Sequence, residues 1–148
     1  MKRIVGKALL VVVLGVFSGA LHSLAVDDVQ GPEKGVQVID LAMAKRLFDQ
    51  KAAVFVDARS SWPYQLGHVP GALNVPPSGI PAAFDAELAD LPKDTVLVVY
   101  CSGATCNLGR KLAQKLAEEM GFTRIYVFEG GFPQWEEAGY PVESEGPF

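Results

Sequence analysis

The chain has 148 residues, two of them cysteines, 49% hydrophobic composition and a formal net charge of −4. That length supports one domain with a core of its own, without metal or disulfide staples. The acidic balance leaves no electrostatic footprint for nucleic acid or for anionic membrane surfaces.

The N-terminus is a distinct segment. Lys2, Arg3 and Lys7 precede the apolar run Ala8 to Leu21, and small residues follow. This is the pattern of a secretory signal peptide over residues 1–25. The expected cleavage is after Ala25, with Ser23 at −3, and the alternative is after Ala20. The run of about fourteen residues is shorter than the roughly twenty that span a bilayer, so no stable membrane insertion is expected after cleavage. With residues 1–25 go three basic residues and no acidic one, so the mature chain would carry −7. Export to the periplasm is expected, with secretion as the alternative. Residues 26–34 read as a polar N-terminal tail, and residues 35–148 as the domain.

Short apolar runs then alternate with helical patterns. Residues 36–40 (VQVID) form a strand candidate. In 41–50, Leu41, Ala44, Leu47 and Phe48 share one helical face and Asp40 is placed to cap it. Residues 53–59 (AVFVDAR) read as a buried strand and 72–76 (ALNVP) as a short one. Ala82 to Leu91 is weakly helical and stops before Pro92. Residues 95–100 (TVLVVY) are apolar throughout, as a central parallel strand covered on both faces should be. In 107–121, Leu108, Leu112, Leu116 and Met120 recur at helical spacing, Asn107 stands as a cap and Gly121 suits the C′ position. Residues 124–131 (RIYVFEGG) complete the strands and 132–139 form a short helix. Such alternation predicts an α/β domain around a parallel sheet flanked by helices, with ligands outside the carboxyl ends of the strands.

Both cysteines fall at one such end. The segment CSGATCN joins the 95–100 strand to the next helix. A strand-to-helix loop turns several backbone N–H groups inward, and the helix adds about half a positive charge. Gly103 permits the dihedrals of a tight cradle. The expectation is therefore an anion-binding loop of Ser102, Gly103, Ala104, Thr105, Cys106 and Asn107 around a Cys101 thiolate, its pKa lowered below about 8.5. A persulfide on Cys101 would carry its charge further into the same amides. A wider loop would suit phosphate or arsenate.

Two longer stretches carry a family resemblance. Phe55 to Pro76, FVDARSSWPYQLGHVPGALNVP, resembles the D-x-R … G-H-I/V-P-G-A-x-N-I/V-P signature of rhodanese-type sulfurtransferases, matched at Asp57, Arg59, Gly67, His68, Pro70, Gly71, Ala72 and Asn74. The VVYC run and Val127 to Val142, VFEGGFPQWEEAGYPV, resemble the family's catalytic strand end and its C-terminal signature. The resemblance implies a rhodanese-like fold of about five parallel strands and a nucleophile at Cys101, accepting sulfane sulfur from thiosulfate or another donor. One departure stands out. The family loop runs C-x-x-G-x-R-S, whereas here Cys106 holds the arginine position, Asn107 the serine position, and Gly103 comes one residue early.

Three readings of the cysteine pair stay open. Cys101 carries a persulfide that Cys106 tunes or resolves. Alternatively, Cys101 and Cys106 form a thiol–disulfide pair. In the third, the fold is a binding module without chemistry. Asp57 and Arg59 read mainly as an ion pair bracing the loop, with Arg59 and Arg110 as possible sources of positive potential. His68 reads as a turn-packing residue, Trp135 as core, Trp62 and Tyr64 as either entrance or packing residues, and Glu129 as a candidate facing the site. Two cysteines and one mature histidine do not make a usual four-ligand set, so neither metal nor cofactor is expected. The partners implied are a small sulfur-containing anion or an acceptor thiol protein, with the chain acting as a monomer.

Overall fold

The computed structural model describes residues 35–78 and 86–146. The expected leader, the tail and the first residues of the Ala82–Leu91 helix lie outside the described residues.

Ten elements follow one another: β1 (Gly35–Ile39), α1 (Leu41–Asp49), β2 (Val54–Asp57), α2 (Ser61–Leu66), β3 (Leu73–Asn74), α3 (Ala86–Asp90), β4 (Val96–Tyr100), α4 (Leu108–Glu118), β5 (Arg124–Phe128) and α5 (Gly131–Glu137). The strands form one sheet in the order β1-β5-β4-β2-β3, and every adjacent pair is parallel. The expected five-stranded parallel α/β architecture is the one observed.

Strand side chains alternate between faces, and this alternation builds two cores. Leu97, Val99 and Cys101 of the β4 line join Ile125, Val127, Leu112 and Leu116 on the α4 side. Val98 and Tyr100 join Phe128, Phe132, Trp135, Ala44 and Leu47 on the side of α1 and α5. Cys101 thus continues the period of Leu97 and Val99, which sets its thiol on the α4 face. Trp135 is fully buried, as expected of a core residue.

Local signals account for most helix boundaries. Asp40 Oδ1 accepts from Met43 N at 2.8 Å, so α1 has its expected cap. α4 ends at Glu118, with Glu119 as its C-cap. Gly121 therefore closes the turn one residue later than expected. Asn107 occupies the N-cap position of α4, but its side chain makes no capping hydrogen bond. The expectation of a side-chain cap there is corrected: the chain enters α4 from a tight turn, with Asn107 φ −91° and ψ 1° rather than the extended conformation that aims a capping side chain back at the helix. α2 has no counterpart in the sequence reading. It is six residues long with no buried residue and no side-chain cap, so it carries no helical period to detect.

Candidate functional site

The carboxyl ends of β2, β4 and β5 meet around the Cys101 loop, and most of the signature residues serve to hold them there. Asp57 lies at the end of β2 with no solvent exposure. Its carboxylate accepts from Arg59 N at 2.9 Å, from Arg59 Nε at 3.0 Å and from an Arg59 terminal nitrogen at 2.6 Å. The same guanidinium donates to the Gly67 carbonyl at 2.6 Å and lies over the Phe132 ring, 4.3 Å from its centroid. Tyr100 adds its hydroxyl to Asp57 and accepts from Val69 N at 3.1 Å. Burial first, and then the neighbouring Asp57 charge, push that phenol far above its ordinary range. Asn74 Nδ2 donates to the Arg59 carbonyl at 2.8 Å, tying β3 to the turn after β2. Asp57 and Arg59 are thus a buried brace, and the guanidinium charge is spent on Asp57.

His68 has the expected turn-packing role. Its Nδ1 lies 2.8 Å from the Tyr64 carbonyl, and its ring stacks on Tyr64 at 3.8 Å. Its backbone forms a two-hydrogen-bond bridge with Glu143. The Tyr64 hydroxyl donates to the Ala72 carbonyl at 2.7 Å, which makes Tyr64 a packing residue. Trp62, by contrast, is 63% exposed at the start of α2.

Cys101 itself is only 4% exposed, and Cys106 is half-buried; both are free thiols. The loop between them is a tight turn in which Cys106 N donates to the Gly103 carbonyl at 2.9 Å. Gly103 sits at φ +115°, a conformation that favours glycine. The loop also has a floor at Gly131, expected as the last residue of the 124–131 strand but found as the first residue of α5. Gly131, at φ +65°, passes so close beneath it that a Cβ there would stand 2.3 Å from the Cys101 carbonyl oxygen and 2.5 Å from Gly103 N. Phe132 N donates to that carbonyl at 2.8 Å.

The amides divide between the two sulfurs. Those of Gly103 and Gly109 face Cys101, and those of Ser102 and Leu108 face Cys106. Gly109 and Leu108, in the first turn of α4, were not expected in the site. The four-residue apolar stripe of α4 marks Leu108 as packing, and nothing local marks Gly109. Of the six residues expected to line the loop, Ser102 and Gly103 turn an amide toward a sulfur.

The charge state of the pair corrects the expectation. The Cys101 thiol lies 3.3 Å from the Cys106 carbonyl oxygen, to which it donates, and hydrogen-bonds the Cys106 sulfur as well. Burial raises the Cys101 pKa above its ordinary value and that bond raises it further, against the lowering by Gly109 and Gly103. For Cys106, burial acts upward, but the bond from Cys101 and the amides of Leu108 and Ser102 outweigh it and leave its pKa lowered. Cys106 is therefore the more acidic thiol of the two, because Cys101 is the more desolvated partner. Limiting iodoacetamide at neutral pH should therefore label Cys106 ahead of Cys101, since only thiolates react. Peptide mapping after partial alkylation checks this, and preferential labelling of Cys101 would refute the assignment.

At the rim, Arg110 forms an ion pair with Glu129 at the carboxyl end of β5. Both side chains are partly exposed. The structure brings together these two residues that the sequence placed near the mouth, but it gives Arg110's charge to Glu129 rather than to the loop.

The model of the rhodanese-like domain matches residues 40–138. The chain belongs to the rhodanese-like domain family. Escherichia coli YibN is 33% identical over 107 residues, which cover 72% of either chain. The HTH-type transcriptional regulator Rv0324 of Mycobacterium tuberculosis is 32% identical over 126 residues, covering 84% of this chain and 52% of that protein. This chain thus spans about half the length of that regulator. Among solved structures, the BH2092 protein of Bacillus halodurans superposes with a TM-score of 0.64 at 28% identity, covering 74% of this chain and 77% of the other. Within this rhodanese-like domain, the loop between β4 and α4 is where the sequence and the fold converge on chemistry.

Proposed function

We propose that this rhodanese-like domain is an exported sulfurtransferase that accepts sulfane sulfur on Cys101 and passes it to a thiol or a small anion. The observation that carries the reading is the position of Cys101. It stands at the carboxyl end of β4, against the first turn of α4, with two backbone amides facing its sulfur. Export rests on the leader pattern of residues 1–25 alone.

The reaction needs no group beyond the pair and its substrate. The proton shared by the cysteines moves from Cys101 to Cys106, generating the Cys101 thiolate. That thiolate attacks the outer sulfur of thiosulfate. A Cys101–sulfur bond forms, the sulfur–sulfur bond of thiosulfate breaks, and sulfite leaves with the electron pair. The amides of Gly103 and Gly109 then face the persulfide that results. Because Arg110 is held by Glu129, loading depends on these neutral donors and on the α4 dipole.

Thiosulfate should add one sulfur, about 32 Da, to the intact protein, and Cys101→Ser should abolish the addition. Intact mass spectrometry checks this, and an unchanged mass in the parent protein would refute it. A thiol–disulfide reading has one observation in its favour, the hydrogen-bonding contact between the two free thiols. It would show instead as a two-hydrogen loss on oxidation.

A further inference from the structure

We propose that Cys106 is a second sulfur carrier: sulfane sulfur loaded on Cys101 moves to Cys106 before it leaves the protein. The inference rests on the sulfurtransferase reading above and deepens it. Three observations carry it. First, Cys101 is 4% exposed, so a persulfide on it is poorly placed to meet a bulky acceptor, whereas Cys106 is half-buried on the outer side of the loop. Second, the two thiols are neighbours, the Cys101 sulfur lying 3.3 Å from the Cys106 carbonyl oxygen, and a persulfide extends the Cys101 side chain by about 2 Å. Its outer sulfur therefore has Cys106 within reach. Third, Cys106 has its own pair of facing amides, from Ser102 and Leu108.

The step balances without an added oxidant or reductant. After loading, the pair again holds one proton. With that proton on the outer sulfur of the Cys101 persulfide, Cys106 is the thiolate. Its lone pair attacks the outer sulfur, a Cys106–sulfur bond forms, and the bond to Cys101 breaks with its electrons returning to Cys101. The proton then passes to Cys101. The products are a Cys101 thiol and a Cys106 perthiolate, and the transferred sulfur keeps its oxidation state. The end state puts the proton on the buried sulfur and the charge on the more exposed one, which is the arrangement desolvation favours.

The test uses the full chain, loaded with thiosulfate or with glutathione persulfide, then alkylated, digested and mapped by mass spectrometry. The parent protein should carry the alkylated persulfide predominantly on Cys106. Cys106→Ser should carry it on Cys101, and Cys101→Ser should carry none. Second-order transfer to a protein thiol, measured from protein loaded to the same extent, should fall at least about 10-fold in Cys106→Ser, whose own loading slows because the proton acceptor of the loading step is gone. Persulfide that stays on Cys101 in the parent protein overturns the relay and leaves the sulfurtransferase reading intact. So does a Cys101–Cys106 disulfide formed with release of hydrogen sulfide, whereas direct loading of Cys106 in Cys101→Ser overturns both the relay and the assignment of loading to Cys101. No sulfur on either cysteine of the parent protein or of Cys106→Ser, with either donor, overturns both.

Discussion

Asp57→Ala should destabilise the domain by about 3–5 kcal/mol, the usual loss when one partner of a buried ion pair is removed. Asp57 has no solvent exposure, and its carboxylate is the acceptor for Arg59 N, Arg59 Nε and a terminal nitrogen of the same guanidinium. Its removal leaves the Arg59 charge buried beside the Gly67 carbonyl, 2.6 Å away. It also deprives the Tyr100 hydroxyl of its acceptor. The midpoint of urea unfolding measures the loss. The pair's value lies in being complete rather than in being charged, so Asp57→Leu combined with Arg59→Met should recover part of it. A loss below about 1 kcal/mol for Asp57→Ala would place the pair among exposed ion pairs. The site would feel the change too, because Asp57 pairs with Tyr100 in the β2–β4 register, one residue before Cys101.

Gly131→Ala should act on the loop more directly. A left-handed backbone costs a non-glycine residue roughly 1–2 kcal/mol, and overpacking a tight site typically costs about 1–3 kcal/mol. Here both apply. Gly131 has φ +65°, and a Cβ would lie 2.3 Å from the Cys101 carbonyl oxygen and 2.5 Å from Gly103 N, both backbone atoms. The combined loss should be about 2–5 kcal/mol. The loop can relieve the clash only by moving Gly103, whose amide faces the Cys101 sulfur. Removing one preorganised donor from a developing anion costs about 10²–10³ in rate. Sulfur loading, followed by intact mass over time, should therefore slow by about two orders of magnitude. Gly139→Ala is the matched control. Gly139 has φ +71° but nothing within 4 Å of its Cβ position, so it should carry the backbone strain alone and load at the parent rate. Equal loading rates for the two variants would dissociate Gly131 from the geometry of the site.

The parts of the fold that were readable in advance share one property. Their signal lies within a few residues along the chain. Asp40 capping α1 is a three-residue pattern. Val96–Tyr100 announces a buried central strand by being apolar without interruption, and Leu112 and Leu116 mark the buried face of α4. α2 was missed because its six residues bury nothing, and its place depends on the Asp57–Arg59 turn before it. Nothing near Gly131 in the chain tells that it lies under Cys101, thirty positions earlier.

The site divides along the same line. The amino-acid order was enough to place Cys101 at the end of the central strand and Cys106 at the start of α4, to pair Asp57 with Arg59 as a brace, and to give His68 a turn-packing role. Strand period, helix period and turn chemistry are local properties. Which of the two sulfurs is the more acidic was decided only by the tertiary structure. A thiol's acidity depends on how much water its neighbours displace and on which amides face it. Those neighbours, from the amide of Gly109 in α4 to the backbone of Gly131 beneath the loop, come from segments brought together only by packing.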